Sequence, residues 1–560
     1  MLQQIKSTYS KNGLETWSRL ANVVKWRLGC AKFDLQFEAK NVDNSKFMSA
    51  KNAVKLIPNG AVVASAGFAG CGLCSVLFWA IKDAYSKHHS PRNLTWMTVS
   101  AQGGRGKIPG TIDELAVPGL LGRYISGHME TAKRLLELGE LGELELHTLP
   151  QGTMAKLFEL QSSKQYELTS EIGIGTFLDP RVGKGSGVTT RASSEYIEAN
   201  GHKLSYRLPK VQVALLSAPY ADCEGNLYFH DEPLISENYQ VVRAAKAHAG
   251  TVIAMVGKII EKDVSRVCIP ADQVDAIVIY ENRPQMAGVP REKLWSALTL
   301  KGHEKVDQAL HQVKLINTLL GITPRRKPVD KVLARITANL FTALCLPGSI
   351  TNFGVGMPEE VCRHLYENGH FNDLVFTTES GTYGGVPTSG MFFGAAINPQ
   401  KIESSAWMFE LYRKKLDITV LGFLQVDSQG NVNVSKRGPR VRDFVGPGGF
   451  CDIVDGAKTI IFVGSWMVGG EFNLSKKTLR LKKRGRPKFV EAVDQITFNA
   501  QQALDRGKTV YYVSNVGVFK LTNQGLELKS VLKGIDVKND IINSCQARIN
   551  IPDYYSVIDL

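Results

Sequence analysis

The chain carries one design twice, and that repeat narrows its fold more than any single motif does. The first copy opens Ile57-Pro58-Asn59-Gly60, runs through an apolar strand (Ala61 to Ala66) and reaches Gly67-Phe68-Ala69-Gly70. The second opens Leu346-Pro347-Gly348, runs from Ser349 to Phe353 and reaches Gly354-Val355-Gly356. Further on, Val211 to Ser217 leads into Asp222-Cys223-Glu224-Gly225-Asn226-Leu227, and Ile418 to Val426 leads into Asp427-Ser428-Gln429-Gly430-Asn431-Val432. The shared D-x-x-G-N-[LV] pattern reads as a turn in which Asp and Asn satisfy their own backbone. Ala245-Lys246 then precedes an apolar run from Thr251 to Gly257, as Ala457-Lys458 precedes Thr459 to Gly464. Order kept across both halves is the signature of an internal duplication.

Strands alternating with helical stretches predict an α/β fold with a mainly parallel sheet in each half. A length of 560 residues exceeds one ordinary core. The expected layout is an N-terminal extension (1–48), one domain (49–300), a linker (301–328) and a second domain (329–560). The linker is placed at the irregular stretch Thr323-Pro324-Arg325-Arg326-Lys327-Pro328. Two similar domains face to face would leave a cleft lined by glycine loops at strand ends.

Ile57 to Ile81 carries no formal charge and is long enough to span a bilayer. Pro58, Asn59, Ser65, Ser75 and glycines 60, 67, 70 and 72 instead suit a strand, a turn and a buried helix. Among nine cysteines only Cys71 and Cys74 have CxxC spacing, and no histidine nearby completes a zinc site. Packing is their expected role, and no metal is expected. The odd count fits a reducing compartment, the cytoplasm being the first expectation. Up to Lys32 the chain has six Lys or Arg and one acid, with Leu14, Trp17, Ala21, Val24 and Leu28 on one helical face. Such a segment is either a mitochondrial targeting helix, which would move the protein to the matrix, or an appended surface helix.

The net charge of +14 points to polyanionic partners, phosphate-bearing cofactors included. Its densest part, Lys476 to Lys488, has eight basic residues and contains Arg484-Gly485-Arg486-Pro487, which is similar to a minor-groove hook. Strands at Thr478-Leu479-Arg480-Leu481 and Lys488-Phe489-Val490 would make it a basic hairpin of a globular domain, so nucleic acid is disfavoured as a partner.

Two features carry chemistry. Leu374 to Thr378 reads as a buried strand that delivers Glu379 into Ser380-Gly381-Thr382-Tyr383-Gly384-Gly385-Val386-Pro387. A carboxylate in a loop with few side chains is reachable by another molecule; the plain alternative is a solvated or capping Glu. In the second feature, Pro358 after Gly354-Val355-Gly356-Met357 marks a helix start, with Glu359 and Glu360 in its first turn. Its free N–H groups could hold a phosphate or carbonyl oxygen, or the loop could serve tight packing alone.

With these features in place the chain resembles the family I CoA-transferases, and is most similar to the single-chain acetate and propionate group. The likeness runs from about residue 50 toward the C-terminus. It rests on Leu149-Pro150-Gln151-Gly152-Thr153, Ile172 to Arg181, Asn352 to Pro358, Glu379 to Pro387, Val426 to Ser435 and Gly446-Pro447-Gly448-Gly449-Phe450-Cys451-Asp452. The resemblance implies a short-chain acyl-CoA:carboxylate CoA-transferase with Glu379 as nucleophile. It assigns oxyanion donors to the Gly449 backbone and the Gln151 side chain, and CoA contacts to Gly354, Val355, Gly356, Met357 and Pro358. It also implies coenzyme A as co-substrate with no resident cofactor, and a homo-oligomer, dimer or tetramer. A thioester hydrolase on the same scaffold and a non-catalytic binding protein are the competing expectations. Where relatives have a glycine pair before Leu416-Asp417, this chain has Lys414-Lys415, two cations expected to alter a surface near the cleft.

Overall fold

The computed structural model describes residues 11–29, 33–40, 42–106, 108–371, 373–475 and 477–560. Lys6 and Lys32 of the N-terminal basic set, Cys30, and Lys476 at the head of the basic run lie outside the described residues. In the first half the strands are β1 (Val62–Ser65), β2 (Leu94–Thr98), β3 (Leu121–Ser126), β4 (Glu145–His147), β5 (Val213–Ala221), β6 (Thr251–Ile259) and β7 (Ala276–Ile279). They pair in the order β7-β6-β5-β1-β2-β3-β4, every neighbour parallel. β5 and β6 are buried along most of their length, which explains their unbroken apolar runs: helices cover both faces of such a sheet.

The second half repeats this plan with β8 (Ser349–Phe353), β9 (Leu374–Thr377), β10 (Ile418–Gly422), β11 (Thr459–Val463) and β12 (Thr509–Val513). The parallel core runs β9-β8-β10-β11-β12 and continues antiparallel through Gly517–Thr522 and Gly525–Leu532. The chain leaves β8 for β9 on one side and returns to β10 on the other. Ligands of such sheets bind where this reversal opens a crevice at the carboxyl ends of the strands. The Gly354 loop directly follows β8, and Glu379 lies two residues past β9.

The paired turns form alike. Asp222 Oδ1 accepts from the N–H groups of Glu224, Gly225 and Asn226 at 2.9–3.0 Å, while Asn226 Nδ2 donates to Asp222 Oδ2 at 2.8 Å. Asp427 Oδ1 accepts from Gln429 and Asn431, and Asn431 Nδ2 returns to Asp427 Oδ2 at 3.0 Å. The uncharged stretch from Ile57 divides into β1, a turn and the helix Ser75–His88, and no helix among the described residues is long and apolar enough to cross a membrane. Cys71 and Cys74 are buried, and burial pushes both thiols well up, so packing is their role.

Three expectations need correction. The N-terminal helix Lys11–Gly29 buries the face opposite to the one its periodicity suggests. Val23 is 1% exposed and Trp26 is buried in a cluster with Met286, Trp295 and Met391, whereas Leu14 is 74% and Leu28 72% exposed. Arg19 lies 4.2 Å over the Trp295 ring and its Nε donates to Gln312 at 3.1 Å. The helix has two apolar faces, and docking on residues 286–298 selected the one with Trp26. Trp26→Ala is therefore expected to destabilise the protein by about 3 kcal/mol, read as a lower urea midpoint; an unchanged midpoint would mean that the helix does not dock.

The basic hairpin also pairs differently: Thr478–Lys483 runs against Glu471–Ser475, and Arg486–Pro487 against Met467–Val468. Lys488-Phe489-Val490 forms no strand; Phe489 is buried and bridges to Val426. Arg484 donates to Asn539 O at 2.8 Å and Asn543 O at 3.2 Å, which makes it part of the folded surface. Lys414 and Lys415 are exposed in the last turn of the helix Ser405–Lys415, where cations favour the helix dipole, and neither lines the cleft.

Candidate active site

A cleft of about 1710 Å³ lies between the two sheets. The first half contributes Gly103 to Gly106 and His128 to its wall; the second contributes Asn352 to Met357, Thr378, Glu379 and Val445 to Phe450. That volume exceeds the 300–1,000 Å³ usual for drug-sized ligands and accommodates something longer.

Glu379 is held from below by its neighbours. Thr378 Oγ1 and Ser380 Oγ both donate to Gly394 O, at 2.9 and 2.6 Å, and Thr378 N–H donates to Thr382 O at 3.0 Å. Beneath them Tyr412 Oη meets Thr377 Oγ1 at 2.9 Å and accepts from Asn352 Nδ2 at 3.0 Å. The loop's small polar side chains are engaged in fixing it, and the Glu379 carboxylate is left without such a task, facing the cleft.

The environment of that carboxylate differs from the amide-stabilised anion that an ionised nucleophile suggests. No described residue donates a hydrogen bond to Glu379. Burial pushes its carboxyl up from 4.5 to about 7, and among the described residues the Arg105 guanidinium counters that rise. A carboxyl poised there is half ionised at neutral pH. Because it is raised, it favours the fold fully below about 4.5, and that contribution is lost as pH climbs through about 7. The activity of an ionised Glu379 should rise over the same range, giving kcat/KM an acid limb with an apparent pKa near 7. Arg105→Gln should move that limb upward; a limb unmoved by the substitution would show that Arg105 does not act on Glu379.

Gly449 touches Glu379. A Cβ built on Gly449 would come well inside van der Waals contact distance of Oε2 and lie 2.8 Å from Phe409 Cζ, so only glycine lets the backbone approach the carboxylate here. Gln151 opens the helix Gln151–Ser162, and its N–H donates to Gly448 O at 3.0 Å. It stands behind Gly448 and is not among the cleft-wall residues, and its side-chain amide has no partner among the described residues. Gly354, Val355, Gly356 and Met357 line the cleft; Pro358 is buried at the second helical position of Met357–Glu367. Arg326 Nη2 donates to Gly356 O at 2.7 Å and fixes the turn before that helix.

Several cations on the cleft wall were not foreseen from the sequence, Arg105, Arg27 and Lys488 among them. Arg105 stands in the loop after β2, its guanidinium 5.4 Å above the Phe393 ring. Gly103-Gly104-Arg105-Gly106, a charge between glycines after a parallel strand, was the available signal. Arg27 arrives from the N-terminal helix, and Lys488 from the end of the basic run. Burial lowers the Lys488 ammonium to about 8, and it donates to Phe423 O at 3.1 Å.

The arrangement can bring a carboxylate nucleophile and a backbone donor to one carbonyl, with cations along the rest of the cleft for an anionic tail. Known proteins agree with that chemistry. A family model described as coenzyme A transferase matches residues 47–280. The caffeate CoA-transferase of Acetobacterium woodii is 34% identical over 518 residues, 89% of this chain and 94% of that one. The acetate CoA-transferase YdiF of Escherichia coli K12 is 30% identical over 509 residues, 89% of this chain and 91% of that one. The crystal structure of the YdiF apoenzyme from Escherichia coli O157:H7 aligns with a TM-score of 0.81 at 26% identity, over 93% of this chain and 97% of that one. A structure of YdiF as a thioester complex with CoA aligns with a TM-score of 0.80 at 27% identity, over 91% and 94%. The chain belongs to the coenzyme A transferase family. It is an enzyme, and the thioester hydrolase and non-catalytic expectations are set aside.

Proposed function

We propose that the protein moves coenzyme A between a short-chain acyl-CoA and a free carboxylic acid, with Glu379 carrying the CoA in between. The supporting observation is Glu379 itself: a carboxylate without hydrogen-bond donors among the described residues, set against the Gly449 backbone in a cleft of about 1710 Å³. Its carboxylate attacks the thioester carbonyl, giving an acyl-glutamyl anhydride and CoA thiolate. The thiolate attacks the Glu379 carbonyl and releases the first acid, leaving a glutamyl-CoA thioester. The second acid attacks that thioester and expels the thiolate, which then takes the new acyl group and restores the Glu379 carboxylate. Splitting the exchange this way conserves the thioester's free energy at every stage.

Each attack passes through an oxyanion. The Gly449 N–H on one side and the Gln151 side-chain amide on the other are the donors in this reading, each worth about 3 kcal/mol in the transition state. The Gly354-Val355-Gly356-Met357 wall, with Pro358 behind it, holds CoA beside the orphan N–H groups of the helix Met357–Glu367. Binding energy from the CoA tail presses the thioester against Glu379.

Incubation with acetyl-CoA and propionate should yield propionyl-CoA in amounts matching the acetate released. Release of free CoA without an acceptor acid, or no exchange across a panel of acids, would defeat the proposal.

A further inference from the structure

The two oxyanion donors come from different halves of the chain, so something must fix their spacing. The helix Gln151–Ser162 begins at Pro150, which has no side chain able to cap it, and its first N–H groups need acceptors. Asp452, three residues after Gly449, accepts from one of them, the Gly152 N–H, from the other half of the chain. Its Oδ2 accepts from the Gly152 N–H at 2.9 Å and its Oδ1 from Thr153 Oγ1 at 3.1 Å, between residues 300 positions apart in the first case. The side chain is buried, and burial pushes its carboxyl up to about 7 against the opposing pull of these donors.

The contact is built to close tolerance. A Cβ on Gly152 would meet Phe409 Cγ at 2.6 Å and Asp452 Cγ at 2.7 Å, so a side chain there would push the halves apart. Around it the Gly449 loop is stitched to the first half by backbone alone: Gln151 N–H to Gly448 O at 3.0 Å, Gly448 N–H to Gly127 O at 2.8 Å and Met129 N–H to Val445 O at 2.8 Å. Asp452 is the one side chain that binds the start of the Gln151 helix and also belongs to the helix Gly449 begins.

We infer that Asp452 is a positioning residue: by capping the Gln151 helix from the opposite half of the chain, it sets the distance between the Gln151 amide and the Gly449 N–H. The inference rests on the proposed roles of those two donors. Asp452 touches no reacting atom and acts through the spacing of the residues that do.

The test is single-turnover formation of the CoA adduct on Glu379 after mixing with acetyl-CoA, followed by intact mass for Asp452→Ala and Asp452→Asn. A positioning role predicts that Asp452→Ala reaches wild-type amplitude at a rate at least tenfold slower. Asp452→Asn, which keeps an acceptor for Gly152, should recover part of that rate. Adding Gln151→Ala should slow Asp452→Ala by less than it slows the wild type, because both changes remove the same donor. Lower amplitude at an unchanged rate would make Asp452 merely structural, and wild-type rate and amplitude would remove it from the reaction; either overturns the inference. If Asp452→Ala does not fold, Asp452→Asn at full amplitude and full rate with Gln151→Ala fully additive to it would overturn it as well. Absence of any adduct in the wild type would instead count against the Glu379 reading itself.

Discussion

Glu379→Ala is expected to lower CoA transfer by about 10⁴-fold or more, the scale seen when a covalent nucleophile is removed. Nothing in the site can substitute. Glu359 also lines the cleft, and burial raises its carboxyl as well, but it lies on the helix wall and not at the Gly449 contact. Glu379→Gln keeps the shape and should be equally inactive, because a neutral amide neither attacks a thioester nor forms an anhydride. Both variants should fold, and both should lose the weakening of the fold that Glu379 imposes as pH rises through about 7. They are therefore expected to be at least as stable as the wild type near pH 8, measured by thermal melts at several pH values. An alanine variant with more than a tenth of wild-type activity would dismiss Glu379 as the nucleophile.

Gly449→Ala should cost about 10²- to 10³-fold in kcat, comparable to losing one oxyanion donor. Its methyl group falls on Glu379 Oε2 and on the Phe409 ring, both packed against the loop. The carboxylate must then rotate or the loop must retreat, and in either case the reacting carbonyl and the backbone N–H separate. The affinity for CoA, set along the Gly354 to Met357 wall, should change little, so kcat falls while KM for acyl-CoA stays within a few fold. A rise in KM with kcat unchanged would place Gly449 in ligand binding instead.

Much of this site was legible in the sequence because its parts are local. A strand that ends in Thr378-Glu379-Ser380 and a glycine turn announces an accessible carboxylate, and Pro358 two residues past Gly356 announces a helix start. The duplicated D-x-x-G-N turns could be read for the same reason, since their hydrogen bonds close within four residues. What escaped depends on distant pairs. Arg105, Arg27 and Lys488 enter the cleft from three remote segments, and no spacing in the chain links them. The Asp452–Gly152 bond joins residues 300 positions apart. The N-terminal helix misled for another reason: its two faces are both apolar, so periodicity alone could not decide between Val23 with Trp26 and Leu14 with Leu28. Likewise, burial of Glu379 without amide donors among the described residues follows from how the halves close, which its own neighbours in sequence do not reveal.

Between half-reactions CoA is expected to rest covalently on one carboxylate, Glu379. Intact mass after mixing the protein with acetyl-CoA in the absence of an acceptor acid tests it most directly. The expected result is an increment equal to CoA less one water, mapped by peptide digestion to Glu379 and released by hydroxylamine. Sustained exchange of CoA between acids with no such adduct, or an adduct on any other residue, would contradict it.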